Sequence, residues 1–145
     1  MNSDIVRETL NQKLAAAGLR STRQREVVYE AILSQRDHPT ADEVFARVKQ
    51  NMPTISLATV YNCLDTLVLC DLVKHVHIER ESTRYCPNLS EHAHFHDSET
   101  GTIYDIQLDL ETISKLKSLL PDGFDISDID ITLRGNANKT ATANS

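Results

Sequence analysis

The chain has 145 residues and a mass of 16.3 kDa, enough for one domain or two small ones. With 40% hydrophobic and 25% charged residues and no apolar run near the roughly 20 residues of a membrane span, it reads as a globular protein and not a membrane protein. Three cysteines without a Cys-x-x-Cys exclude a full disulfide framework and a four-cysteine zinc site, and Met1-Asn2-Ser3-Asp4 lacks the pattern of a secretory signal, so a reducing cytoplasm is expected.

The net charge of −6 is unevenly spread. Residues 1–85 carry 11 Lys+Arg against 11 Asp+Glu, whereas residues 86–145 carry 4 against 10. Such asymmetry predicts different partners for the two halves, a local basic face in the first and cations in the second.

Along the first half, Ile5, Val6, Leu10 and Leu14 recur at helical spacing up to Gly18. Ser21 with Gln24, and Thr40 with Glu43, form capping-box patterns ahead of two further apolar stripes, Val27–Ile32 and Val44–Val48. Pro53 breaks the chain, and Ser56 is the expected N-cap of a helix running to about Leu69. Extended segments at Val73–Ile78 and Thr83–Cys86 flank a polar turn. Helices followed by a hairpin in this order predict a winged helix-turn-helix.

In the second half, His92-Ala93-His94-Phe95-His96 alternates as a strand with its imidazoles on one face, and Thr102–Ile106 returns as a partner strand. Leu110, Ile113, Leu116 and Leu120 mark an amphipathic helix, and Ile129, Ile131 and Leu133 alternate as a final strand. The fold class expected is α+β: a winged helix-turn-helix over 1–86, a small α/β dimerisation and metal-binding domain over 87–134, and a disordered tail over 135–145. A β-α-β piece this small is expected to pair with a second copy of itself.

The 56–69 helix has a recognition-like surface. Ser56, Ala58, Thr59, Tyr61 and Asn62 lie opposite or beside its apolar stripe, and Asn and small apolar groups are able to read adenine and thymine edges in the major groove. Phosphate contacts are expected from Arg20, Arg23 and Arg25, and on the wing from Lys74 or Arg80 and Arg84. A polar helix face is also the ordinary solvated default. In the second half, His92-x-His94 beside an Asp105 on the partner strand offers two imidazoles and a carboxylate to a divalent metal, with His38 and Cys86 as further candidate ligands. A lone histidine is more often a surface residue, the reading given to His75, His77 and His96 as far as spacing goes.

Thr22–Arg25, His38-Pro39-Thr40-Ala41-Asp42-Glu43-Val44-Phe45, Ser56-Leu57-Ala58-Thr59-Val60-Tyr61-Asn62, His92-Ala93-His94 and Gly101-Thr102-Ile103-Tyr104-Asp105-Ile106, in this order, resemble the ferric uptake regulator (Fur) family. The resemblance is greatest to its peroxide-responsive (PerR) and iron-response (Irr) branches. It implies a dimeric bacterial repressor, acting on double-stranded DNA at an inverted-repeat operator, with Fe(II) or Mn(II) as regulatory metal. His38, His92, His94 and Asp105 fall on four ligand positions of the family. The fifth, usually Asp or Glu, falls at Cys86, where a thiolate shifts preference toward zinc and is itself oxidisable. Glu91 and His96 are the candidate replacements for the missing carboxylate. The resemblance further implies that peroxide would act through Fe(II) by oxidising His38 or His92. Many members hold a structural zinc with two Cys-x-x-Cys pairs; here Asp97 and Thr100 occupy the first pair, so that site is lost. Asn62 matches the peroxide branch. Cys86-Pro87 also resembles a haem regulatory motif, which makes haem an alternative effector. From other classes, a small metalloenzyme built on His92, His94 and Asp105, or a metal-independent interaction module, completes the set of readings.

Overall fold

The computed structural model describes residues 3–35 and 37–138. The expected tail falls on 135–145, of which 139–145 lie outside the described residues. The chain divides into two compact units, Met1–Leu89 and Ser90–Ser145.

The first unit contains α1 (Ser3–Ala16), α2 (Arg23–Leu33), α3 (Ala41–Lys49), α4 (Leu57–Leu69) and a hairpin of β1 (Lys74–Val76) and β2 (Arg84–Cys86). From α2 onward this is the helix-helix-helix-wing order of a winged helix-turn-helix, with α1 preceding it. α1 ends where Gly18 takes φ 75°, which lets the Leu19 N–H reach back to the Leu14 carbonyl at 2.8 Å. α3 and α4 start where expected, with Thr40 accepting from the Glu43 N–H and Ser56 from the Thr59 N–H. α2 corrects the expectation by one residue: its N-cap is Thr22, accepting from the Arg25 N–H at 3.2 Å, not Ser21. From Arg23 onward the helix buries Val27, Val28 and Ile32 in the core. That core is aliphatic, with Leu10, Leu14, Val28, Ile32, Val44, Leu64 and Leu67 all essentially sealed from solvent.

The second unit contains β3 (His92–Asp97), β4 (Ile103–Gln107), α5 (Leu110–Ser118) and β5 (Thr132–Gly135), in a three-stranded sheet of order β4-β3-β5. β3 and β4 are antiparallel, with His94 opposite Asp105 and His92 opposite Gln107. β5 runs parallel to β3 after the α5 crossover. The final strand starts later than its alternation suggested: Ile129 and Ile131 precede it, although the Ile131 carbonyl still accepts from the His94 N–H at 2.9 Å. Few apolar side chains are buried here, chiefly Ala93, Ile103 and Ile113, while Leu110, Leu119 and Phe124 stand at the surface.

Candidate metal half-sites and nucleic-acid face

The β3–β4 register determines the first cluster. Because alternate residues of a strand share a face, His92 and His94 project together, and pairing brings Asp105 alongside. The two Nε2 atoms are 3.0 Å apart, and Asp105 Oδ1 lies 3.3 Å from His94 Nε2 and 3.5 Å from His92 Nε2. His92 Nδ1 is 2.6 Å from the Ser90 carbonyl, which can only accept, so Nδ1 donates there and Nε2 is the ring nitrogen turned to the cluster. Two imidazole nitrogens converging beside a carboxylate, all largely buried, form the donor set of a divalent transition-metal ligand group. Glu91 is exposed, and its carbonyl accepts from the Leu108 N–H and the Gln107 amide. His96 continues the His92/His94 face two residues on, opposite Ile103.

The first unit holds a second pair. Thr40 bridges to Arg84, and the Tyr85 N–H donates to the Pro39 carbonyl at 2.9 Å, so the segment before α3 lies antiparallel to β2. Continuing that register sets His38 against Cys86. A ring nitrogen of His38 lies within 4.8 Å of Cys86 Sγ, and both residues are buried. The other cysteines differ. Burial pushes the Cys63 thiol up in pKa, against the opposing pull of the Arg25 charge, so it stays a protonated core group on α4. Cys70 is likewise buried, at the α4 C-cap.

On α4, Ser56, Ala58, Tyr61 and Asn62 are exposed, while Thr59 is half-buried with its hydroxyl 2.9 Å from that of Ser56. Val60, Cys63, Leu64 and Leu67 form the buried side. The basic residues divide by task. Arg20 and Arg23 are exposed, Arg23 lying 3.5 Å from Glu26, whereas Arg25 is half-buried and donates to the Arg20 carbonyl at 2.7 Å, bracing the approach to α2. Lys74 is half-buried and Arg80 exposed at the tip of the wing, with φ 66°. Arg84, grouped with the phosphate contacts by charge, has its side chain 20% exposed and turned onto the His38 carbonyl at 2.9 Å and toward Glu43 and Glu81.

Asp97 closes the β3–β4 turn. Its carboxylate accepts the Glu99 N–H at 2.9 Å and the Thr100 N–H at 3.4 Å, with a further backbone donor from Ala137 beyond β5. These donors, the Glu99 N–H first, hold the carboxyl below the ordinary carboxylate range. The carboxylate thus gathers the turn and the chain after β5 by hydrogen bonds.

Residues 16–134 match the model of the ferric uptake regulator family. The peroxide-responsive repressor PerR of Staphylococcus aureus is 34% identical over 115 residues, covering 79% of this chain and 77% of the relative. Among solved structures, the Campylobacter jejuni peroxide stress regulator superposes with a TM-score of 0.68 at 25% identity, covering 97% of this chain and all of that one. The Helicobacter pylori ferric uptake regulator, described as having three functional metal binding sites, superposes over the whole chain and 97% of its own with a TM-score of 0.77 at 18% identity, a likeness of fold. The chain belongs to the ferric uptake regulator family and is a metal-responsive, DNA-binding transcription regulator, not an enzyme.

Proposed function

We propose that this protein is a homodimeric, metal-gated repressor that binds an inverted-repeat operator in the cytoplasm and is released by peroxide. The observation that carries the reading is the convergence of His92 Nε2, His94 Nε2 and Asp105 Oδ1 within 3.0–3.5 Å of one another. His38 and Cys86 of the first unit would complete the ligand set contributed by the second. Ligands drawn from both units make the angle between recognition helices depend on occupancy, because binding free energy favours whichever arrangement brings the ligands together. Ser56, Ala58, Thr59, Tyr61 and Asn62 would then read base edges, with Arg20 and Arg23 holding phosphates and Arg25 supporting the helix that presents them. The exposed Leu110, Leu119 and Phe124 support pairing with a second copy. An Fe(II) held by these residues would supply one-electron reduction of peroxide, with His38 and His92 as the ligand rings placed to be oxidised there; Mn(II) would not supply that chemistry readily.

A second reading rests on one residue. The Cys86 thiolate is a softer donor than a carboxylate, which favours Zn(II) in the same place and a zinc-responsive regulator. At 1% exposure on β2, Cys86 supports a role as an ion ligand over one as an axial haem ligand.

Selection of bound duplexes from a random pool, with Mn(II) and with chelator, tests the proposal. Enrichment of an inverted repeat only with metal is expected, and His94→Ala abolishes it. Equal enrichment in both conditions removes the metal gate, and no enrichment in either overturns the DNA-reading assignment. Repeating the selection with Fe(II) and with Zn(II), each with and without peroxide, decides between the two metals. Release by peroxide in the Fe(II) arm alone supports the first reading.

A further inference from the structure

Arg84 lies where three segments of the first unit meet. Its Nη1 donates to the His38 carbonyl at 2.9 Å and stands 3.7 Å from Glu43 Oε1, while Nη2 stands 3.9 Å from Glu81 Oε1. Its backbone forms the bridge to Thr40, next to the Tyr85–Pro39 hydrogen bond. Glu43 is itself part of the α3 cap, since it receives the Thr40 hydroxyl at 3.2 Å and gives its N–H to the same oxygen. The other side of this segment is also held. Asp37, beside His38, is gripped by Arg47 of α3, whose Nη1 also reaches the Ala31 carbonyl at 3.4 Å.

We infer that Arg84 is a positioning residue for the metal ligands: its fork on the His38 carbonyl and the α3 cap fixes His38 in register with Cys86. This rests on the metal-gated reading above. Cys86 is two residues further along β2, so a single side chain controls the separation of both first-unit ligands. Two carboxylates balance the guanidinium, so its charge is matched locally and is not left over for a phosphate. Lysine cannot replace it, because one ammonium on a flexible stem does not span a carbonyl and a carboxylate in fixed geometry. Outer groups of this kind commonly change metal affinity by about 10–100-fold.

The test uses the full chain with Arg84→Gln, Arg84→Lys and His94→Ala, titrated with Zn(II) against a chromophoric chelator. Co(II) loading adds a readout of Cys86 through its thiolate-to-cobalt absorption. The expected result is zinc affinity weaker by about 10–100-fold in Arg84→Gln and by at least about fivefold in Arg84→Lys. The thiolate band weakens in parallel, and duplex affinity at saturating metal stays within about threefold of wild type. Wild-type zinc affinity in Arg84→Lys overturns the inference. So does a loss of duplex affinity at saturating metal with a salt slope reduced by about one, the mark of a phosphate contact. If Arg84→Gln fails to fold, the Arg84→Lys titration decides by itself. The His94→Ala arm separates the two levels: unchanged zinc affinity there sinks the metal-site reading, whereas its loss beside an unaffected Arg84→Lys sinks only the role of Arg84.

Discussion

The two units are stabilised differently. In the first, Leu10, Leu14, Ile32, Leu64 and Leu67 are fully buried among four helices and a hairpin, and the polar groups at the helix starts are capped. In the second, His92, His94 and Asp97 take buried positions that aliphatic side chains would usually fill, while Leu110 is 85% and Leu119 77% exposed. A piece of this size with so few buried apolar groups gains little from its own core. The first unit is therefore built to keep its shape whatever is bound. In the proposed function the second depends on hydrogen bonds, a second copy and a metal, which is how a sensor can be made to respond.

The largest effect breaks the self-sufficient side. Leu64→Ala removes a side chain with no solvent exposure from the α4 face of the core and should cost about 2–5 kcal/mol. The loss reads as a lower denaturation midpoint that is the same in metal and in chelator. A metal-dependent loss would show that the first unit does not stand by itself. Next in size is the pair Leu110→Glu with Leu119→Glu. Both side chains are exposed on the single chain, so the variant should fold but sediment at half the wild-type mass. Its melting temperature should also lose the rise with protein concentration that dimerisation gives. An unchanged mass would remove this surface as the pairing face.

Much of this contrast was legible in the residues. Thr40 and Ser56 announced their helices because cap chemistry is local, and His92-x-His94 announced a shared face because strand periodicity is local. Non-local relations were harder to read. Ser21 and Gln24 have capping-box spacing, yet it is Thr22, with an equally competent hydroxyl one residue on, that accepts from the Arg25 N–H. Charge alone grouped Arg25 and Arg84 with the phosphate contacts, and the folded chain adds what spacing could not: a bond from Arg25 to the Arg20 carbonyl and one from Arg84 to that of His38. The nearness of His38 to Cys86 depends on a bridge between Thr40 and Arg84 that no periodicity encodes. Asp97 read as a missing cysteine, whereas its use of the Glu99, Thr100 and Ala137 N–H groups needs the turn and β5 to be in place.

That carboxylate gives the smallest and most selective test of the second unit. Its pKa is lowered in the folded chain, by the Glu99 N–H first and then by the other donors. A depressed acid stabilises the fold above its unfolded pKa, near 4 for an aspartate, and that stability disappears as pH falls through the lower folded value. Asp97→Asn keeps an oxygen for the Glu99 N–H but removes the charge, so its deficit should be full from pH 7 to about 5. Below about pH 4 the melting curves of variant and wild type should converge, as wild-type Asp97 itself becomes neutral. The comparison is made on metal-free protein, so that loss of ligands in acid does not enter. The Asp109 cap of α5, lowered chiefly through Thr112, has the same sign and is present in both proteins, so it cancels from the difference. A gap between the curves that persists to pH 2 would mean that shape, not charge, is what Asp97 contributes. The turn and the chain after β5 would then be joined by packing, and the second unit would resemble the first more closely than its buried polar groups suggest.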